Sequence, residues 1–148
     1  MALPQDLLEQ AGHLAKREPK RPRQASLRRA VSAAYYALFH LLVLEGIRHW
    51  RIGRQRAKLA RSFDHGAMKQ VCSRKDFDPR LQEVADAFVQ LQQARHSADY
   101  DYSKVLTRVQ AMASVETARN AFKKWAKIRN QPFADDFVLA LFTKDRRQ

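Results

Sequence analysis

The longest apolar pattern in the chain repeats with helical spacing over residues 24–46. Its apolar positions recur every three to four residues, which is the period of one face of an α-helix. A stripe this wide predicts a helix that contacts several other helices or a second chain. The stripe consists of Leu27, Val31, Ala34, Leu38 and Leu41, widened by Tyr35, Phe39 and Leu42.

Shorter patterns predict further helices on both sides of this one. The segment EPKRPRQ, residues 18–24, interrupts the first two because its prolines cannot continue a helix. Ser62 or Asp64 is positioned to cap the third helix. We predict helices over residues 4–17, 24–46, 64–73, 79–98 and 104–129, and a last one from Pro132 onward.

The apolar faces of the later helices predict the core. We expect the fourth helix to bury Leu81, Val84, Phe88 and Leu91; the fifth to bury Val109, Met112, Val115, Ala118, Phe122 and Trp125; and the last to use Phe133, Phe137, Val138 and Leu141. No alternating run of β-branched residues between turn signals suggests a strand. The chain is therefore predicted to be all-α, an up-and-down bundle of five to six helices in a single domain over residues 1–148.

The charge balance adds a functional class to this fold. The chain has a formal net charge of +13, which favours nucleic acid or another acidic partner. Residues 46–61 contain no acid, and we interpret them as a mobile basic loop that turns helical towards its end. Gly46 and Gly53 flank the beginning of this loop. Its side chains suit phosphate contacts with base stacking, although a solvated basic loop explains the same pattern. They are Arg48, Trp50, Arg51, Arg54, Arg56, Lys58 and Arg61.

Other classes find little support in the sequence. Cys72 is the only cysteine, which excludes an internal disulfide and fits a reducing compartment. The apolar stretch at residues 33–44 contains Tyr35, Tyr36 and His40, and we judge it too short and too polar to cross a membrane. Histidines and carboxylates lack the close spacing of metal ligands, and no glycine loop for phosphate is present. We expect a cytoplasmic protein without a metal or cofactor.

The segment LQQARHSADYDY, residues 91–102, contains the strongest candidate for a site. Arg95 falls one turn beyond Leu91 on the predicted buried face, where a guanidinium needs a partner. Asp99 follows four residues later and can reach it across one helical turn. Ala98 and Tyr102 are the next positions on that face. On spacing alone, a structural ion pair that ends the apolar stripe explains the pattern better than a functional site does.

Three segments in order resemble the HEPN family (higher eukaryotes and prokaryotes nucleotide-binding domain) in its small bacterial branch. They are RRAVSAAYYALFHLLVLEG at 28–46, FDHGAMKQVC at 63–72 and LQQARHSADYDY. The resemblance implies a helical bundle that pairs as a homodimer, with the arginine at Arg95 meeting its twin in a cleft between subunits. It also implies a ribonuclease toxin neutralised by a partner, often a minimal nucleotidyltransferase.

The chain departs from the catalytic motif of that family. The motif is an arginine followed, after four to six residues, by a histidine; counted from Arg95, those positions hold Tyr100, Asp101 and Tyr102. Tyrosine does not transfer protons near neutrality without a large pKa shift. Whether the chain is an enzyme, a metal-independent endoribonuclease, is therefore left open. In this interpretation Arg95 clamps the phosphate, and His65 or His40 supplies proton transfer from another helix.

The remaining candidates each have a structural and a functional interpretation. His96 projects about 100° from Arg95 around the helix and is interpreted as a surface residue. We predict that His65 caps the third helix, the alternative being phosphate binding, and that His40 is a hydrogen-bonded core residue. Tyr35 and Tyr36 suit the core or a dimer interface better than a base-stacking platform.

Tyr102 stands where some members of the family have a tyrosine that the partner adenylylates, and the resemblance makes it a candidate modification site. Taken together, we expect a HEPN-like, toxin-type component of a bacterial two-gene system that acts on or binds RNA. Two alternatives are a non-catalytic nucleic-acid or nucleotide-binding module and an interaction subunit for a nucleotidyltransferase.

Overall fold

A computed structural model describes residues 2–48 and 53–144 of the chain. Within these ranges the chain forms helices and no strand, so the all-α prediction is confirmed. The helices number seven rather than five or six, because part of the predicted basic loop is a helix of its own, α3. They are α1 Leu3–Ala15, α2 Gln24–Ile47, α3 Gly53–Arg61, α4 His65–Cys72, α5 Pro79–Tyr100, α6 Arg108–Ile128 and α7 Pro132–Thr143.

Helix α2 is the centre of the bundle. It packs against α1, α5 and α6, and more lightly against α3 and α7. Leu27, Ala34, Leu38 and Leu42 on this helix are at most 1 % exposed. The width of its apolar stripe therefore reflects several neighbours within one chain.

Helix α2 is also longer than the apolar stretch that we judged too short to cross a membrane. Gln24–Ile47 has 24 residues and contains an 18-residue window with a mean hydropathy of 1.5, so by length and composition alone it is neither too short nor too polar for a membrane span. In the bundle 61 % of this apolar window is buried. The core helix of a soluble protein has the same length and composition.

The starts of the later helices are set by side-chain caps. Asp64 accepts a hydrogen bond from the Ala67 amide at 2.9 Å and begins α4, as predicted. The predicted start of the fifth helix near residue 104 is wrong: α6 begins at Arg108, where Thr107 and Gln110 form a reciprocal capping box. Sequence spacing alone contained this signal, since Thr and Gln stand three residues apart.

The buried faces of α5, α6 and α7 largely match expectation. Every predicted core residue of α5 is buried, whereas Met112 and Phe122 on α6, and Phe133 and Val138 on α7, are only half-buried. Val109 is 79 % exposed, which contradicts its predicted burial. It lies in the first turn of α6, on the opposite side from Ala111 and Val115.

The end of α5 is tied down by side chains from the start of α2. Arg28 donates hydrogen bonds to the carbonyls of Ala98, at 2.8 Å, and Asp101, at 3.1 Å, and also to that of Lys104. The Gln24 amide pairs with both backbone groups of Leu106, at 2.7 and 3.0 Å. These contacts stop the helix at Tyr100.

Because the chain leaves the helix there, Tyr102 does not continue the buried face of α5 as predicted. It lies in the following loop and is 88 % exposed.

Gly46 lets the segment before α4 approach α2 closely. We expected it to end α2, but the helix runs on to Ile47. A Cβ at Gly46 would lie 2.6 Å from the Phe63 ring, closer than van der Waals contact allows. Phe63 is 7 % exposed and immediately precedes Asp64 and His65. The absence of a side chain at residue 46 therefore positions the start of α4.

A buried carboxylate joins the ends of α2 and α6. Glu45 is 8 % exposed and accepts hydrogen bonds from Trp125 Nε1 and Arg129 Nε, both at 2.5 Å. Arg48 Nε lies 3.3 Å from the second carboxylate oxygen. Burial raises the pKa of Glu45, but the hydrogen bonds from Arg129 and Trp125 outweigh burial, so the pKa falls below its ordinary value. The carboxylate is therefore charged and fully paired.

We predict that Glu45→Gln lowers the free energy of unfolding by about 2 kcal/mol, because it leaves two cations without their partner. The loss stays below that of a fully buried pair since Arg129 is half-exposed and can bind water. The matched control Glu83→Gln removes a surface pair with Lys124 and is expected to cost under about 0.5 kcal/mol. Urea unfolding monitored by circular dichroism measures both, and equal losses would contradict the role of Glu45.

The contribution of Glu45 to the free energy of unfolding depends on pH in a defined direction. The unfolded chain protonates Glu45 at the ordinary carboxyl pKa, and the folded chain only at a lower pH. The contribution of Glu45 is therefore fully present above the ordinary carboxyl pKa and is lost as the pH falls through the lowered value. The difference in the free energy of unfolding between wild type and Glu45→Gln is expected to become smaller as the pH is lowered.

Candidate functional site

Three helices bring a cation, an imidazole and a set of aromatic rings together at the surface. Tyr35 and Tyr36 come from α2, His65 is the first residue of α4, and Arg95 lies in the last turns of α5. The Arg95 guanidinium carbon is 5.2 Å from the centre of the Tyr35 ring and 5.7 Å from that of Tyr36. These distances fall within the range of cation–π contact. Phe39 completes the floor, with its ring 4.0 Å from that of His65.

Arg95 is mostly covered but only loosely paired. Its side chain is 15 % exposed, which confirms the prediction that α5 directs it inward. Asp99 Oδ2 lies 3.5 Å from one terminal nitrogen, at the outer limit of a hydrogen bond. The Arg95 Nε atom is buried and has no hydrogen-bond partner among the described residues. The predicted ion pair is thus present, yet among the described residues most of the guanidinium N–H groups have no hydrogen-bond partner.

A hydrogen bond to Tyr35 occupies Nδ1 of His65 and leaves Nε2 as the ring nitrogen that can reach a ligand. The Tyr35 hydroxyl lies 2.5 Å from His65 Nδ1, and Tyr35 is fully buried. Burial raises the pKa of Tyr35, so the phenol keeps its proton. His65 is its hydrogen-bond partner in the structure, so the hydroxyl donates to Nδ1. We therefore assign His65 the tautomer with its proton on Nε2.

His65 is neutral under ordinary conditions. Burial lowers its pKa, and the neighbouring Arg95 and His40 lower it further, against the opposing effect of Asp64. A neutral imidazole with Nδ1 occupied presents an N–H donor at Nε2 and no free lone pair there. His65 can therefore donate a hydrogen bond to a ligand, but it is poorly arranged to accept a proton from one.

The arrangement is suited to binding an anion. Arg95 supplies a positive charge with uncommitted donors, and His65 adds a further N–H from a second helix. A guanidinium binds phosphate oxygens well, and the half-buried ring of Tyr36 suits stacking with a nucleobase. General-base catalysis requires a lone pair that His65 does not offer in this tautomer.

Two predictions about the histidines of this region are wrong in part. His65 does not cap α4, because Asp64 occupies that position, and its ring turns towards the aromatic cluster instead. His40 is half-buried at the rim of the cluster, with its ring 5.2 Å from that of Phe39. Among the described residues no hydrogen bond reaches His40, contrary to the prediction. Burial lowers the pKa of His40, so it too is neutral.

The other residues near Arg95 in sequence lie outside the cluster. His96 is exposed, as predicted, and its ring packs 5.2 Å from that of Tyr100. Tyr100 is itself 60 % exposed, and Tyr102 lies in the loop beyond the helix. Of the residues predicted to surround Arg95, the structure therefore brings Asp99, His65 and His40 together and leaves His96, Tyr100 and Tyr102 apart.

The predicted basic surface divides into three parts. Arg48 is not free for a phosphate, because it pairs with Glu45 and donates to the Arg129 carbonyl at 3.2 Å. Trp50 and Arg51 lie outside the described residues. Arg56 is half-buried on α3. The exposed cations of α3 share one side at a spacing of three to four residues: Arg54, Lys58 and Arg61.

Sequence reasoning missed the role of Tyr35 and a second contact to His65. Gln92 donates to the His65 carbonyl at 3.3 Å, while its own carbonyl oxygen is buried without a partner in the described part of the chain. Gln92 stands three residues before Arg95 on α5, so helical spacing placed it beside the site. Nothing local signalled the Tyr35–His65 pair, which spans 30 residues of sequence.

The geometry thus defines a helical bundle in which Arg95, His65 and a set of aromatic rings meet between α2, α4 and α5. No family model matches the chain, no curated protein matches it, and no solved structure matches it. Among residues 2–48 and 53–144, no three metal-ligating side chains cluster together.

We predict that NMR titration will give His65 a pKa below that of an ordinary histidine, with Nε2 protonated in the neutral form. Arg95→Gln is expected to raise this pKa by removing the nearby positive charge. In the unfolded chain His65 is protonated at the ordinary histidine pKa, whereas in the folded chain it is protonated only at a lower pH. The contribution of His65 to the free energy of unfolding is therefore lost as the pH falls below the ordinary histidine pKa. An unshifted His65, or a neutral form with the proton on Nδ1, would contradict the assigned tautomer and environment.

Proposed function

We propose that the chain is a HEPN-like RNA-binding domain in which Arg95 and His65 hold a phosphodiester. The observation that carries the proposal is that the Arg95 guanidinium and the His65 ring both pack against Tyr35 and Tyr36. Because His65 directs a proton rather than a lone pair outward, ribonuclease activity is weak or absent. This agrees with the missing histidine at residues 100–102.

The overall charge favours the same ligand class. The net charge is +13, and Arg54, Lys58 and Arg61 line the exposed side of α3. Arg61 precedes His65 by four residues, so α3 leads directly to the site. A nucleic acid bound at Arg95 is therefore within reach of a second set of cations, which increases affinity at low salt.

The wider biological role follows from the resemblance. In this proposal the chain is a toxin-type component of a bacterial two-gene system, acts in the cytoplasm, forms a homodimer and is neutralised by a minimal nucleotidyltransferase. The phenol of Tyr102 is 88 % exposed and accessible to such a partner for adenylylation. Mass spectrometry of the chain after co-expression with a neighbouring nucleotidyltransferase tests this part; an unmodified Tyr102 would count against it.

We predict that Arg95→Ala weakens RNA binding about tenfold, because it removes a charged contact to phosphate. His65→Ala is expected to weaken binding less, since it removes a neutral donor. The matched control is Arg80→Ala, because Arg80 also stacks on an aromatic ring, 4.7 Å from Phe133, and pairs with an aspartate. Filter binding over a series of salt concentrations measures all three variants.

Equal losses for Arg95→Ala and Arg80→Ala would contradict the proposed site. A cleavage assay on the same RNA decides the catalytic question: rapid cleavage abolished by Arg95→Ala in a folded protein would show an active enzyme and refute the weakened site. Absence of RNA binding, with a tight nucleotidyltransferase complex, would select the interaction subunit.

A further inference from the structure

A groove of about 700 Å³ runs between α1 and α2 and meets the Arg95 cluster at Tyr36. Its volume lies within the range of small-ligand pockets. Helices α1 and α2 run antiparallel and are joined by a short connector, so the end of α1 lies beside the start of α2. Arg17 and Arg29 therefore lie at the same end of the groove, and Tyr36 and His40 lie at the other end. Leu7 and Leu14 form part of its α1 wall.

The charges of the groove are unbalanced in favour of an anion. Arg29 is exposed, and no acidic side chain pairs with it among the described residues. Arg17 is less available because it lies 3.9 Å from Glu18. Glu18 is not part of the lining; it binds the Ser26 hydroxyl at 2.8 Å and the Arg23 amide at 2.9 Å. In the described part of the chain, no acidic residue lines the groove itself.

The spacing along α2 fits a short nucleic-acid strand. Arg29 and Tyr36 are seven residues apart, which is about 10 Å along the helix axis. Tyr36 is half-buried and contacts both Arg95 and the groove, so it joins the two features. A strand whose phosphate lies at Arg95 can continue past Tyr36 and place a later phosphate at Arg29.

The lining also discriminates between ligand classes. A purely leucine-lined groove favours an acyl chain or a partner helix, but this one has an aromatic ring and an imidazole at one end and arginines at the other. Unpaired bases stack on tyrosine and histidine rings, and every base has a face that can do so. Continuity with the Arg95 cluster therefore favours a nucleotide.

We infer that the α1–α2 groove holds one unpaired nucleotide next to the phosphate at Arg95, an inference that rests on the proposed function. The base stacks on Tyr36 beside His40, and the following phosphate pairs with Arg29. The substrate class is therefore single-stranded RNA, because a base in a duplex cannot enter the groove without leaving its stack.

The test compares ligands that reach one or both phosphate positions. The dinucleotide ApA has a single phosphate and reports on Arg95 alone, by NMR titration. A single-stranded oligoadenylate dodecamer reaches both positions, and fluorescence anisotropy measures its affinity. We expect Arg29→Ala to weaken dodecamer binding five- to tenfold, less than a typical hydrogen bond to a charged group because Arg29 is exposed, and to leave ApA binding unchanged. The slope of log binding constant against log salt concentration is expected to become shallower by about 0.7, because one phosphate contact is lost.

Two further variants separate a site from a general charge effect. Lys127→Ala removes one exposed charge from α6, outside the groove, and is expected to change dodecamer affinity less than twofold. Ser32→Trp fills the groove without altering charge and is expected to weaken the dodecamer as Arg29→Ala does. Circular dichroism checks folding, and Arg29→Ala decides the question if Ser32→Trp does not fold.

Three results would overturn the inference. The first is an equal loss of dodecamer affinity for Arg29→Ala and Lys127→Ala, and the second is an equal affinity of the protein for the single-stranded dodecamer and for its duplex. The third is that Ser32→Trp changes the oligomeric mass measured by light scattering without changing RNA affinity. The last result would make the groove a contact between copies of the chain. Failure of the proposed function gives a different result, since Arg95→Ala would then leave both ApA and dodecamer binding unchanged.

Discussion

The hydrogen bond between the Tyr35 hydroxyl and His65 Nδ1 determines the chemistry of the whole site. Tyr35 is fully buried, so breaking this bond would leave its hydroxyl unpaired at a cost of about 1–3 kcal/mol. Arg95 stacks on the same ring that holds the imidazole. One phenol thus orders a cation and a donor from two other helices, and it directs the imidazole proton outward. In the proposed function, this arrangement would favour binding a phosphodiester over activating a hydroxyl for attack on it.

The rest of the fold holds the three helices at the distances this bond requires. Gly46 admits the Phe63 ring against α2, which sets the position of α4 and its first residue, His65. Arg28 binds the end of α5 and stops the helix shortly after Arg95. Glu45 joins the far ends of α2 and α6. Each contact is made at a helix end, where backbone or charged groups need partners and where the packing of apolar faces does not determine position.

The sequence predicted the features that follow from periodicity. The apolar repeats located α2, α5 and α7 closely, and the position of Arg95 one turn beyond Leu91 indicated its burial. Features that depend on distant partners were not accessible: the 30-residue separation of Tyr35 and His65 hid their contact. A polar stretch at α3 resembled a loop because its helix buries little. The Thr107 capping box could be recognised in the sequence, but the helix was predicted to start earlier and to bury Val109, which is exposed.

The most direct test of the account is a crystal structure with a short 2′-O-methylated RNA, which cannot be cleaved. The account predicts a phosphate oxygen about 3 Å from both the Arg95 guanidinium and His65 Nε2, with Tyr35 still bonded to Nδ1. An RNA bound along α3 with the Arg95 cluster empty, or an imidazole rotated away from Tyr35, would contradict it.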